Sequence, residues 1–293
     1  MTKDYKFTWA GFLFVLVHLT CLAVFWVGIT WTAAFLCLFM FVLRKFGITG
    51  GYHRYFSHRS YRTSRFFQFC LAFIGGMSAQ KGALWWAAHH RHHHKHSDTE
   101  EDLHSAKLEG FVWSHVGWVL SNEYDEYDSK AVTDLTKFPE LVFLDKYHFI
   151  PPVVAAVACF LIGGWVGLLW GFFVSTVILY HTTFAINSLC HMFGSQRYAT
   201  GEASKNSLWL AIVTMGEGWH NNHHHYQLSA RQGFFWWEVD ITYYILLTLN
   251  KLGIIWDIKH PPAKLLKPEA MIPSARAAVG GAVEPEPQIA RAA

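Results

Sequence analysis

Residues 89–98 read HHRHHHKHSD, and six of the first eight residues of this stretch are histidines. The stretch lies inside the chain and is interrupted by Arg91 and Lys95, so it is neither a terminal tag nor a homopolymer. On a helix, side chains at positions i, i+3 and i+4 share one face, which lets three imidazoles point the same way. Spacing alone does not choose between the two triplets that have this HxxHH pattern: His89, His92 and His93, or His90, His93 and His94.

Three further histidine motifs lie elsewhere in the chain. HRYFSH contains His53 and His58, and NSLCH places Asn187 four residues before His191. In HNNHHH, the HxxHH pattern has one register: His220, His223 and His224.

The number of histidines and their repeated spacing indicate a metal site. Imidazole binds iron, zinc, copper and nickel, so the ligand type does not identify the metal. Nine histidines at the motif positions exceed what one ion can use, and we therefore expect two ions. A solvated histidine-rich loop that buffers zinc is the simpler alternative, but such a loop gives no reason for HxxHH to recur so far along the chain.

The composition is that of a membrane protein. Hydrophobic residues make up 52% of the chain and charged residues 15%, against about 25% charged residues in typical soluble domains. The net charge of +3, with no evident basic stripe, gives no reason to expect a nucleic-acid partner. The five cysteines show no CxxC spacing and are interpreted as small buried hydrophobic residues.

Four apolar runs predict four transmembrane helices, because about 20 residues are needed to cross a bilayer. They are joined in pairs by short uncharged turns, one near Gly28 and one at Gly163–Gly164. The expected spans are residues 7–28, 30–48, 149–166 and 168–189.

Basic residues at the outer ends of the first pair of spans predict the orientation. Lys3 and Lys6 precede the first span, and Arg44 and Lys45 mark the end of the second, so both ends are expected in the cytoplasm. We do not expect a cleaved signal peptide, because a second span follows the first at once.

The sequence thus predicts an all-α integral membrane protein with a cytoplasmic helical cap that carries the histidines. Residues 66–84 must then not cross the membrane, or the first motif would be separated from the others. The apolar run at 241–256 is expected to lie at the interface. The expected parts are a membrane domain at 1–265, whose cap comprises 50–147 and 190–265, and a disordered tail at 266–293.

The motifs together resemble the membrane fatty acyl desaturases, and most closely the group that makes the first double bond, near carbon nine, in acyl-CoA or acyl-lipid chains. The resemblance covers roughly residues 30–260. It rests on HRYFSH, WWAAHHRHHH, SHVGW, NSLCH and GEGWHNNHHH, in that order.

The resemblance implies a register and a ligand set. The family places Arg directly after the first ligand and Trp four residues before it, which here are Arg91 and Trp86. His89, His92, His96 and His225 are then extra histidines. Asn187 is implied to act through a bound water. The implied di-iron ligands are His53, His58, His90, His93, His94, His191, His220, His223 and His224.

The resemblance also implies the chemistry: an O2-dependent oxidoreductase of fatty acid biosynthesis that uses two ferrous ions to insert a cis double bond. The substrate is a saturated fatty acyl chain on CoA or lipid, and Gln80, Trp86 and Thr183 would shape the bend of its apolar tunnel. No His-Pro-Gly-Gly cytochrome b5 motif is present. The electron donor is therefore expected to be a separate protein of the cytochrome b5, ferredoxin or rubredoxin type.

Several residues outside the implied ligand set also have expected roles, and two other functions are alternatives. Asp98, Asp102 and Glu217 are candidates for orienting the imidazoles, with a solvated surface position as the alternative. A membrane hydroxylase of alkyl or acyl chains is the nearest rival enzyme. A membrane metal-binding or transport protein is the alternative from another class. Such a protein needs polar residues inside its spans to form an ion path, and these spans are nearly free of acidic groups. His115 has a packing or an orienting role; the histidines expected to be satisfied by neighbouring helices are His18, His148, His181 and His260.

Overall fold

The computed structural model describes residues 8–279 and is mostly helical in this range. The first nine α-helices are α1 Trp9–Cys21, α2 Val24–Val27, α3 Trp31–Phe46, α4 Arg65–Gly76, α5 Ala83–His96, α6 Ala106–Val112, α7 Trp118–Leu120, α8 Thr133–Thr136 and α9 Pro139–Lys146. The others are α10 Ile150–Leu168, α11 Ser175–Asn187, α12 Leu189–Met192, α13 Leu208–Val213, α14 His220–His225, α15 Ile241–Lys251 and α16 Pro273–Val279.

Three π-helices and one small sheet complete the main elements. The π-helices are Gly47–Ser57, which continues α3, Trp113–Gly117, which continues α6, and Leu169–Val174 between α10 and α11. Strands β1 (Arg62–Thr63) and β2 (Ile255–Trp256) pair antiparallel. Short 3-10 turns occupy Ser129–Val132, Ala263–Leu266 and Pro268–Ala270.

Side-chain caps fix where several helices begin. Thr30 accepts a hydrogen bond from the Ala33 amide at the start of α3, and Ser64 accepts one from the Phe67 amide at the start of α4. Asp240 caps α15 through the Tyr243 amide. Each cap satisfies a backbone N–H that has no partner inside its helix.

Within residues 8–279, three helical segments are long and apolar enough to cross a membrane: Trp9–Val27, Trp31–Ser57 and Ile150–Met192. The last has 43 residues, but Gly164 interrupts it with a φ of +61°. A Cβ on Gly167 would lie 2.7 Å from the Cys159 carbonyl oxygen, whereas residues eight apart in a straight helix are separated by about 12 Å. The segment therefore turns back on itself at Gly164, and its two halves lie side by side.

The second segment differs from the prediction at its end. It does not stop near residue 48 but continues as a π-helix to Ser57, and Arg44 and Lys45 are fully buried. Arg44 donates hydrogen bonds to Ser175 and Thr176 of α11. Arg44 and Lys45, which were predicted to mark the end of this span, are buried because both side chains hydrogen-bond to α11.

Two segments outside these spans pack on the π-helix Gly47–Ser57. Residues 66–84, predicted not to cross the membrane, begin with α4, where Leu71 and Ala72 are buried. In α15, Thr242 is buried and its hydroxyl lies 2.7 Å from that of Thr49. The π-helix is thus enclosed by α4, which follows it in the chain, and by the distant α15.

The end of the chain also departs from the prediction. Residues 266–279, expected to be disordered, form part of two 3-10 turns and helix α16. The reason is an apolar contact: Met271 is buried in a cluster with Tyr198 and Phe234. The rest of the predicted tail, 280–293, and Lys3 and Lys6 lie outside the described residues.

Candidate metal centre

The nine histidines of the predicted ligand set converge on two adjacent groups. Within each group, one nitrogen from every imidazole lies within 4.8 Å of the others. The first group contains His53, His58, His90, His94 and His223, and the second contains His93, His191, His220 and His224.

A π-helix brings together the histidines of HRYFSH. His53 and His58 are five residues apart, and an α-helix would turn them about 140° from each other. In a π-helix the backbone hydrogen bond joins residues five apart, and the His58 amide donates to the His53 carbonyl at 3.2 Å. The two imidazole centroids are consequently 4.8 Å apart.

Both HxxHH triplets are divided between the two groups. On α5, His90 and His94 join the first group and His93 the second; on α14, His223 joins the first group and the other two histidines the second. Each helix therefore connects the two sites, and the triplets do not each form a separate site.

The extra histidines of α5 and α14 point to other partners. His89 Nδ1 lies 2.9 Å from the Trp85 carbonyl oxygen, and His92 Nε2 lies 2.8 Å from that of Glu101. His96 pairs with Glu101, and His225 stacks on Tyr198. The geometry thus favours His90, His93 and His94 over the alternative triplet.

Buried carboxylates fix the orientation of three imidazoles. Glu217 contacts His53 Nδ1, Asp102 lies 2.9 Å from His93 Nδ1, and Asp98 lies 3.2 Å from His191 Nδ1. A neutral imidazole carries one N–H, so a proton on Nδ1 leaves a lone pair on Nε2. The three carboxylates, for which a surface position was the alternative, are inside the protein and aim these lone pairs inwards.

The donor set fits metal ions. The Nε2 atoms of His58 and His90 are 2.8 Å apart, and those of His94 and His223 are 2.9 Å apart. In the second group, the Nε2 atoms of His191 and His220 are 3.1 Å apart. Nitrogens about 3 Å apart are spaced as neighbouring ligands of an ion with metal–nitrogen bonds of about 2.1 Å.

The electrostatics favour neutral imidazoles and charged carboxylates. Burial, together with the neighbouring imidazoles, holds the pKa well below its usual value for His90, His94, His220, His223 and His224. Burial alone would raise the pKa of the Glu217 carboxyl, but His53 and Arg54 lower it to about 2. Metal binding requires deprotonated imidazole, which is the form that this environment favours.

Several polar residues of the centre gave no signal in the sequence. Glu202 lies 3.7 Å from His191 Nδ1 and 3.6 Å from His224 Nδ1. Arg54 is buried and donates to both Glu217 and Asp240. These side chains come from loops or from between the histidines, where no helical spacing marks them.

A cavity of about 470 Å³ extends from the first histidine group. His90 and Asn187 line it, as do the predicted tunnel residues Gln80, Trp86 and Thr183. Its walls are largely apolar and include Phe14, Val119, Phe172, Tyr180 and Phe184. Trp86 stacks on His90 with ring centroids 4.8 Å apart, which places an aromatic wall directly against the histidines.

Three single histidines form a hydrogen-bonded row beside this cavity. His18 Nε2 lies 3.0 Å from His181 Nε2, and His181 Nδ1 lies 3.0 Å from His115 Nε2. His115 Nδ1 in turn lies 2.9 Å from the Ser188 hydroxyl. The prediction that neighbouring helices satisfy His18 and His181 is confirmed; His260 lies 3.3 Å from the Tyr243 hydroxyl, and His148 lines the cavity.

Several known proteins are similar to this chain in sequence. A family model described as "Fatty acid desaturase" matches residues 29–248. The sn-1 stearoyl-lipid 9-desaturase of Anabaena variabilis is 37% identical over 258 residues, covering 87% of this chain and 94% of that protein. The sn-2 palmitoyl-lipid 9-desaturase of Nostoc sp. (strain 36) is 35% identical, covering 80% of this chain and 84% of that protein. An acyl-CoA 5-desaturase of Anemone leveillei is 35% identical, covering 88% and 84%.

Proposed function

Because the chain belongs to the fatty acid desaturase family, we propose that it inserts a cis double bond at carbon nine of a saturated acyl chain, using two iron ions and O2. Names of similar proteins support the bond position, since two of them are 9-desaturases of lipid-bound stearoyl or palmitoyl chains. The observation that carries the proposal is the pair of histidine groups at the wall of an apolar cavity.

The nine converging histidines are the proposed iron ligands. The first group would hold one ion and the second group the other. Asn187, which lines the cavity, would act through a water molecule. Bound iron would supply the oxidising power, with O2, that an unactivated methylene demands. Glu217, Asp102 and Asp98 would keep the imidazoles turned towards the ions.

The cavity would place one C–C bond of the substrate beside the first histidine group. Trp86, which stacks on His90, and Thr183, which accepts hydrogen bonds from Lys45 and Gln80, would form the bend. A narrow apolar channel also excludes water from the reacting carbons.

The membrane arrangement and the electron donor belong to the same proposal. The hairpin at Gly164 supports four crossings, made by Trp9–Val27, Trp31–Ser57 and the two halves of Ile150–Met192. Both termini and the histidine cap would face the cytoplasm. The substrate supplies two electrons and a separate donor two more, which a cytochrome b5, ferredoxin or rubredoxin could deliver to that side.

Product analysis tests the proposed function directly. The protein would be expressed in cells that supply electrons, and their fatty acids measured by gas chromatography with mass spectrometry, with a His94→Ala variant as control. We expect a new monounsaturated acid with its double bond at carbon nine, absent from the control. A hydroxylated acid would instead assign the metal site to a hydroxylase, and an unchanged profile with an active donor present would contradict an enzymatic role.

A further inference from the structure

The side chains at the open end of the cavity would contact the carrier of the acyl chain. Two charged side chains line the described cavity, Lys81 and Asp125, and they form an ion pair of 2.7 Å. The Lys81 ammonium, which could otherwise bind a phosphate, is therefore neutralised by Asp125. The other polar groups at this end are uncharged hydrogen-bonding groups, including Ser121, Tyr124 and His148.

The segment beside the ion pair is acidic. Residues 121–128 read SNEYDEYD, and Glu123, Glu126 and Asp128 are exposed in addition to Asp125. CoA carries a pyrophosphate and a phosphate monoester, so its head would face several like charges here. Like charges placed opposite each other exclude a partner that would otherwise fit.

The neighbouring surface cleft adds no net positive charge that would offset these carboxylates. This cleft of about 420 Å³ shares His89 with the cavity and is lined by Arg91 and Lys95, but also by Glu126 and Asp128. Arg91 is already occupied, since both of its terminal nitrogens donate to the Asp134 carboxylate. A polyphosphate would thus find no surplus of free positive charge.

The apolar side of the cavity is continuous with exposed apolar residues of the candidate membrane spans. Leu13 of α1 and Phe149 and Val153 beside or within α10 line the cavity, yet they are 43%, 57% and 55% exposed. These residues lie in or next to the segments that are long and apolar enough to span a membrane. A chain that is already in the bilayer could therefore enter without crossing water.

We propose that the substrate is an acyl chain esterified in a membrane glycerolipid with an electroneutral head, and not acyl-CoA. This inference rests on the proposed function. The lipid's acyl chain fills the cavity from the membrane side. Its ester and head-group oxygens meet Ser121, Tyr124 and His148, and the acidic segment 121–128 rejects polyanionic carriers.

Photo-cross-linking tests the carrier independently of turnover. The purified metal-loaded protein in lipid nanodiscs would receive a C18 chain with a mid-chain diazirine, carried either on phosphatidylcholine or on CoA at equal concentration. Mass spectrometry would then quantify adducts on the peptides that contain Trp86 and Thr183. We expect at least about tenfold more cavity adduct from the lipid-borne chain.

A charge-reversal pair makes the test specific to the acidic segment. The double variant Glu123→Lys/Glu126→Lys should raise CoA-borne labelling several-fold, while Glu100→Lys/Glu269→Lys, which makes the same charge change at exposed positions outside segment 121–128, should not. Equal cavity labelling from CoA in the wild type would overturn the lipid carrier and leave the acyl site intact. Absence of cavity adducts from both carriers would overturn the carrier proposal and the proposed acyl site together.

Discussion

His94→Ala is expected to remove one of the two metal ions and all desaturase activity. His94 Nε2 lies 3.0 Å from that of His90 and 2.9 Å from that of His223, so its loss opens the middle of the first histidine group. The remaining imidazoles would be left with inward-facing lone pairs and an incomplete coordination shell. The measurement is iron per chain by mass spectrometry, together with product formation.

Two matched variants distinguish the loss of a metal ligand from the loss of a histidine outside the ligand set. His224→Ala opens the second group and should leave the other ion in place while also abolishing activity. His92→Ala, two residues before His94 on the same helix, should keep both ions and most activity, because its ring faces the Glu101 carbonyl. Full activity in the His94 or the His224 variant would refute the ligand assignment.

Glu217→Ala is expected to have the largest effect on stability and a strong effect on metal binding. Glu217 is 1% exposed and contacts both His53 and Arg54, which are buried as well. Its removal leaves a buried guanidinium with one carboxylate partner fewer, which costs about 3 kcal/mol. Losing the group that orients His53 should weaken metal affinity by about 10–100-fold.

Thermal unfolding in detergent and iron titration measure the two effects of Glu217→Ala. Glu140→Ala is the matched control, because Glu140 also pairs with an arginine, but Arg65 is exposed. That change should alter stability by less than about 1 kcal/mol. An unfolding midpoint and an iron affinity unchanged from wild type in the Glu217 variant would show that the carboxylate does not support the centre.

The sequence motifs anticipated which histidines converge, but not how the structure groups them. The HxxHH spacing identifies helices with three imidazoles on one face, and α5 and α14 are such helices. It cannot show that each triplet serves two groups, because that depends on where the facing helices lie. Spacing alone also left two registers on α5, which differ by one residue and both satisfy the helical period.

The features that the sequence did not reveal depend on tertiary contacts. HRYFSH has no α-helical period that joins His53 to His58, and the π-helix that joins them is enclosed by α4 and α15. Arg44 and Lys45 resemble the basic end of a span, yet partners on α11 more than 130 residues away keep both inside. Such pairings leave no local sequence pattern, because the two residues of each pair lie far apart in the chain.

Metal analysis of the purified wild-type protein is the most direct test of the two-ion centre. Mass spectrometry would give the metal content per chain, and X-ray absorption would give the identity of the ligand atoms. We expect two irons per chain, each coordinated mainly by imidazole nitrogen, as the two histidine groups require. A protein that is active with one iron per chain, or with zinc in both groups, would contradict the proposed di-iron centre.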